Sequence, residues 1–271
     1  MAKLRAPFGW IGGKSKLADD IVSLIPEHRL YVEVFGGALN VLYRKPQTTA
    51  ARQAEVANDV NGELVNLHRV IRNSPSSLSW YLNRILISRE IFYNIYRGKM
   101  KPRNDIERAA FYYYLISQSF GSKGTTFAMN AKSRRPKDIY RSFSKWSARL
   151  KFVTVENMSF EKLINTYDKH DAFFYCDPPY YNSDCGHYDG YSIEDFEMLL
   201  KTLSKIEGEF LLSSYPSDIL KKYTKEFNWN TKTLEQTVSI ANSTGKSQKK
   251  KIEVMTANFD LSNPKDDLTL F

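Results

Sequence analysis

The feature that most constrains this chain is an alternation. Short apolar runs at residues 31–35, 54–57, 152–155, 172–176, 209–213 and 252–257 are separated, over much of the length, by stretches with apolar residues at helical spacing. Runs this short are strand-sized, whereas the intervening patterns have the 3.6-residue period of amphipathic helices. Strands alternating with helices predict an α/β sheet, mostly parallel, with helices on both faces. Residues 17–25 and 62–71 are expected to supply two covering helices and residues 194–203 a third, with Ser192 as its N-cap. With 42% hydrophobic and 14% aromatic residues in a chain of 271, there is material for a full core, as one large domain or one domain with an inserted lobe.

The alternation breaks between residues 74 and 149. That stretch reads as mainly helical and as an inserted second domain, with residues 1–73 and 150–271 forming the domain around it. Within it, Ser119-Phe120-Gly121-Ser122-Lys123-Gly124-Thr125-Thr126 mixes turn residues with β-formers and predicts a hairpin or ordered loop. Lys123, Lys132, Arg134, Arg135 and Lys137 give it a basic flank, which suits phosphate contacts as well as it suits a solvated loop. A formal net charge of +9 favours a polyanionic partner. No apolar run approaches the roughly 18 residues of a membrane helix, and the charged first residues are not followed by an apolar stretch, so a cytoplasmic protein is expected. Two cysteines and four histidines show no zinc-site spacing, so no metal is expected, and Cys176 reads as a buried strand residue. Nothing in the sequence bears on oligomeric state.

Chemistry enters at Asp177-Pro178-Pro179-Tyr180, directly after the apolar run 172–176. An acid at a strand's end, two prolines that stiffen the loop and present carbonyls without amide donors, and an aromatic ring make a slot for a flat, amine-bearing base. Asp177 and the Pro178 carbonyl would each accept one amine hydrogen while Tyr180 stacks on the ring. The same four residues also make an ordinary turn. Upstream, the run 31–35 leads into Gly36-Gly37 and a helix-like 38–42, a turn that admits a ligand close to the backbone. About twenty residues on, Asp59 ends the next strand, where a carboxylate can accept ribose hydroxyls. Gly12-Gly13-Lys14-Ser15 is not a phosphate-binding P-loop: Phe8 stands where its first glycine must be, and no strand precedes it. Lys14 could instead hold a carboxylate, with Trp10 covering a sulfonium or aliphatic segment.

Taken in order, residues 8–17, 33–37, Asp59 and 177–180, with the insertion ahead of the last, resemble the Dam-like DNA adenine-N6 methyltransferases over nearly the whole chain. The resemblance implies a Rossmann-like catalytic domain that binds S-adenosyl-L-methionine, an inserted target recognition domain, and transfer of a methyl group to a flipped adenine in double-stranded DNA, with GATC as a first guess for the target. It implies that Trp10, Lys14, Glu33, Phe35, Gly37, Asp59, Phe160 and Asp177 contact the cofactor, that Asp177, Pro178, Pro179 and Tyr180 form the catalytic tetrad, and that residues 238–259 form a closing hairpin with a basic loop at 242–251. Three positions depart from the family pattern. Val34 replaces a frequent proline, Leu39 a frequent glycine, and Ser159 a frequent aspartate that would accept from the cofactor's adenine amine. A methyltransferase acting on RNA or on a protein amide, and a non-catalytic DNA-binding relative, are the alternatives that the residues leave open.

Overall fold

The computed structural model describes residues 4–47, 53–128, 139–181, 191–238 and 249–262, with backbone alone for 235–238 and 249–251. In chain order the elements are α1 (Ala18–Ser23), β1 (Leu30–Glu33), α2 (Asn40–Arg44), β2 (Ala54–Asn58), α3 (Gly62–Asn73), α4 (Pro75–Leu82), α5 (Arg89–Tyr96), α6 (Asp105–Gln118), α7 (Ser144–Leu150), β3 (Val153–Glu156), α8 (Phe160–Tyr167), β4 (Ala172–Cys176), α9 (Ile193–Leu203), β5 (Glu209–Ser214), α10 (Asp218–Glu226), β6 (Asn230–Val238) and β7 (Lys249–Ala257). The seven strands form one sheet of order β3-β2-β1-β4-β5-β7-β6. This is an α/β sheet with helices between its strands, as the alternation predicts. The chain divides into two compact units, one of Met1–Ser15, Gly36–Thr49 and Ala54–Ser159, the other of Lys16–Phe35, Ala50–Gln53 and Phe160–Phe271.

In the second unit β4 runs parallel to both β1 and β5, and β7 runs antiparallel to both β5 and β6. Every residue of β4 is buried, which is why it reads as an uninterrupted apolar run rather than an alternation. The α9 helix starts at a capping box: Ser192 accepts from the Asp195 amide while the Asp195 carboxylate accepts from the Ser192 amide. Ser192 is thus the N-cap that the sequence predicts.

In the first unit β2 and β3 are parallel. The Asn61 side chain caps α3 by accepting from the Glu63 and Leu64 amides. The described part of segment 74–149 is helical, as its pattern predicts, and its loop is closed by an antiparallel bridge between Ser119 and Phe127. The N-terminal segment is tied to these helices: Trp146 Nε1 donates to the Arg5 carbonyl at 2.7 Å and Arg141 Nη1 to the Pro7 carbonyl at 2.8 Å. Buried Glu55 is bracketed by Lys45 at 3.0 Å and Arg149, whose guanidinium also donates to the Leu42 carbonyl. Among the described residues no helix is long and apolar enough to cross a membrane.

Candidate active site

In the first unit, the site is built on the turn after β1. Gly36 donates to the Asn58 carbonyl at 2.7 Å, and a Cβ at Gly36 would lie 2.8 Å from that oxygen, so the approach needs glycine. Gly37 has φ +51°, and a Cβ there would meet the Trp10 indole at 2.8 Å. Its amide donates to Asp59 Oδ2 at 2.9 Å, and Asp59 Oδ1 accepts from the Asn61 amide at 2.9 Å. The sequence-predicted residues Trp10, Gly37 and Asp59 are therefore brought together. Burial raises the Asp59 carboxyl above its ordinary value, against the amides of Asn61, Gly37 and Val60, which favour the ionised form. Lys14 is buried, its ammonium donating to the Gly12 carbonyl at 3.2 Å.

Three supporting residues of this unit went unread in the sequence. The Asn58 side chain exchanges two bonds with the Met158 backbone, and Asn157 donates to the carbonyls of Asp59 and Val60, which fixes the backbone under the carboxylate. His68 Nε2 meets the Gly37 carbonyl at 2.8 Å, so that nitrogen carries the proton; buried Nδ1 has no partner among the described residues. Burial lowers this imidazole to about 4, the bond to Gly37 opposing only part of the shift. Leu39, two residues past Gly37, has φ +57° and is fully buried. The left-handed conformation explains why glycine suits this position, and leucine adopts it at a cost on the order of 1 kcal/mol, opposed by the burial of its side chain.

In the second unit, strand register decides which side chains share a face. Glu33 pairs with Tyr175, Tyr175 with Leu211, and Ser213 with Met255. Side chains two apart on a strand point the same way. Glu33, Tyr175, Ser213 and Glu253 therefore lie on one face, and one further step along β1 and β4 puts Phe35 and Asp177 there too. The Val34 amide donates to the Tyr175 carbonyl at 2.9 Å, a bond that the proline frequent at this position in the family could not make. Glu33 is buried and accepts from the Tyr31 hydroxyl at 2.8 Å. The Phe35 ring lies 5.7 Å from Phe160 and edge-on to Tyr191 at 6.3 Å.

The loop that begins at Asp177 leaves the end of β4. Pro178 is buried, and Asp177, Pro179 and Tyr180 are half-buried. The Tyr180 ring packs on Tyr215 with centroids 4.3 Å apart. Its hydroxyl contacts Asp177 Oδ1 at 3.2 Å, Ser213 Oγ at 3.0 Å and Glu253 Oε2 at 2.5 Å. Burial, then the negative charges of Asp177 and Glu253, push the Tyr180 phenol well above its ordinary value, so it stays protonated. Burial does most to raise Tyr175 as well, followed by Asp177, Glu33 and Glu253, so three carboxylates act on one buried ring. Cys176 is buried with its thiol pushed far up by burial, as expected of a strand residue rather than a nucleophile. Ser213, Tyr215 and Glu253 are functional candidates missed in the sequence. The available signal was an acid inside the apolar run of β7.

The donor set fits the cofactor that the resemblance implies. A carboxylate offers about four acceptor positions, so Asp59 has capacity for a ribose hydroxyl beyond its backbone amides. The three carboxylates around Tyr175 suit a cationic sulfonium, and Phe35 with Phe160 suits a flat purine. Among the DNA-contact candidates, Lys123 is exposed on the bridged loop, whereas Lys132, Arg134, Arg135 and Lys137 lie outside the described residues, as does the hairpin's basic loop up to 248. No cluster of three or more potential metal ligands occurs among the described residues.

Comparison with known proteins bears on the same elements. The type II methyltransferase M1.LlaDCHI of Lactococcus lactis subsp. cremoris is 27% identical over 247 residues, covering 81% of this chain and 84% of that protein. The DNA adenine methylase of Vibrio cholerae serotype O1 is 26% identical over 194 residues, 66% of each chain. The DNA N-6-adenine-methyltransferase of Escherichia phage P1 is 26% identical over 193 residues, and the chain spans 24% of that protein's length. Residues 10–240 match the model of one family, and this chain belongs to it: the D12 class N6 adenine-specific DNA methyltransferases.

Proposed function

We propose that the chain transfers the methyl group of S-adenosylmethionine to N6 of an adenine flipped out of double-stranded DNA. The observation that carries this reading is the shared sheet face of Glu33, Phe35 and Asp177, which ends at the Tyr180 cluster. When bound, the cofactor supplies an electrophilic methyl on a positively charged sulfur. Trp10, Lys14, Glu33, Phe35, Gly37, Asp59, Phe160 and Asp177 are the residues assigned to hold it. Asp59 binds the ribose and Lys14 the methionine carboxylate.

The exocyclic amine of adenine has its lone pair spread into the ring and is a poor nucleophile. Asp177 accepts one amine hydrogen and the Pro178 carbonyl the other, which localises the lone pair toward the methyl. Pro179 holds the loop direction. Orientation and a fixed polar environment contribute most of the acceleration, and direct transfer of this kind requires no metal ion. Flipping the base costs a few kcal/mol, offset by phosphate contacts. The inserted segment 74–149 serves as the recognition domain, with Lys123, Lys132, Arg134, Arg135 and Lys137 against the DNA and GATC as the first target to try.

The test is Asp177→Ala, assayed by transfer of labelled methyl to unmethylated genomic DNA alongside a DNA-binding assay. Turnover is expected to fall by roughly 1,000-fold with DNA affinity retained. Near-normal turnover would remove Asp177 from the mechanism.

A further inference from the structure

Tyr180 has one hydroxyl proton, and its oxygen meets those of Asp177, Ser213 and Glu253 among the described residues. Two of these belong to carboxylates: Glu253 Oε2 at 2.5 Å and Asp177 Oδ1 at 3.2 Å. One proton cannot serve both. Hydroxyl-to-carboxylate bonds of about 2.5–2.7 Å are the strong, charge-assisted kind, whereas 3.2 Å lies beyond the ordinary O–H···O range. Ser213 donates to the same Glu253 oxygen at 3.3 Å, so both hydroxyls of the cluster converge on Glu253. Glu253 and Ser213 are fully buried, where such bonds are least weakened by water.

We infer that Glu253 is a positioning residue for methyl transfer. By drawing the Tyr180 proton to itself it keeps that proton off Asp177, whose carboxylate then retains its acceptor strength for the target amine. The same bond fixes the Tyr180 ring against Tyr215. This inference rests on the reading of Asp177 as the acceptor of the amine. It assigns a role to β7 in the chemistry: the strand carries the group that orients the catalytic loop.

The experiment is a double-mutant cycle in single-turnover methyl transfer, using the full chain, S-adenosylmethionine and an unmethylated duplex. Glu253→Leu is expected to slow transfer about 10- to 100-fold with cofactor and DNA affinities unchanged. Glu253→Gln, whose amide oxygen still accepts the phenol proton, should recover part of that loss. In a Tyr180→Phe background there is no proton to direct, so Glu253→Gln should cost nothing further. Losses that multiply in the Tyr180→Phe/Glu253→Gln protein would show that Glu253 acts only as a core residue and would overturn the inference, as would a wild-type rate for Glu253→Leu. Should Glu253→Leu fail to fold, the near-isosteric cycle with glutamine decides the matter alone. Near-normal turnover in Asp177→Ala would instead defeat the reading of Asp177, a result independent of this cycle.

Discussion

Two of the strand glutamates, Glu55 and Glu253, have surroundings that differ in kind. Glu55 of β2 is 4% exposed and sits between the ammonium of Lys45 and the guanidinium of Arg149, 94 residues further along the chain. Burial pushes its carboxyl up, but the bonds and charges of Arg149 and Lys45 outweigh burial and hold it below the usual value. For Lys45 burial outweighs the attraction of Glu55 and the ammonium is lowered from its ordinary value. Glu253 of β7 is 1% exposed and is met by the hydroxyls of Tyr180 and Ser213, beside Asp177. An acid in an apolar strand looks the same in both sequences. Matched with cations, it fastens α7 to β2; matched with hydroxyls, it ties the loop at Tyr180 to β7.

The harshest way to break this comparison is Arg149→Leu. It leaves Glu55 buried without its strongest partner, and stability should drop by roughly 3–5 kcal/mol in denaturant unfolding, with the rate per folded molecule unchanged. A drop well under 1 kcal/mol would mean that the trio does not hold this part of the first unit.

The second contrast is pH. His68 titrates at about 4 in the folded chain and near 6.5 unfolded. Between those values the unfolded state binds more protons, so stability is fully present above pH 6.5 and is lost as pH falls toward 4, by up to about 1.4 kcal/mol per unit. Denaturant midpoints from pH 7.5 to 4.5 should show this slope, and His68→Gln, which can still donate to the Gly37 carbonyl, should flatten it. Equal slopes in both proteins would assign the acid sensitivity to other groups.

The mildest change is Ser213→Ala. It removes one of the two hydroxyls that meet Glu253, at a stability cost of about 1 kcal/mol, and is expected to slow methyl transfer several-fold without altering thermal unfolding beyond that cost. A rate unchanged from wild type would confine the cluster's role to Tyr180 and Glu253.

How much of this was legible depends on whether the signal is local. The run at 172–176 coincides with β4 because a strand buried on both faces must be apolar throughout, and the two prolines after Asp177 mark its end without any tertiary information. Ser192 was readable as a cap for the same reason. The β6 strand was read only at its C-terminal end, as part of the closing hairpin: Asn230, Thr231, Lys232, Thr233, Glu235 and Gln236 are polar at both parities, and an edge strand paired on one side only need not bury a face. The Tyr180 cluster was out of reach altogether. Its members come from a loop and two strands whose alignment exists only once β7 has inserted between β5 and β6. His68 similarly acquires its meaning from a carbonyl 31 residues away.

That insertion has a genetic consequence. Because facing alternates residue by residue, a codon gained or lost between Glu253 and Ala257 would turn Ile252 or Val254 toward the tyrosine and Glu253 toward the opposite side, while leaving most of the backbone ladder able to re-form. Changes of length are better tolerated where a connection absorbs them than inside this short stretch. Lineages of this protein should therefore vary freely in the reach of their last hairpin yet keep a constant count of residues from that glutamate to the end of the strand.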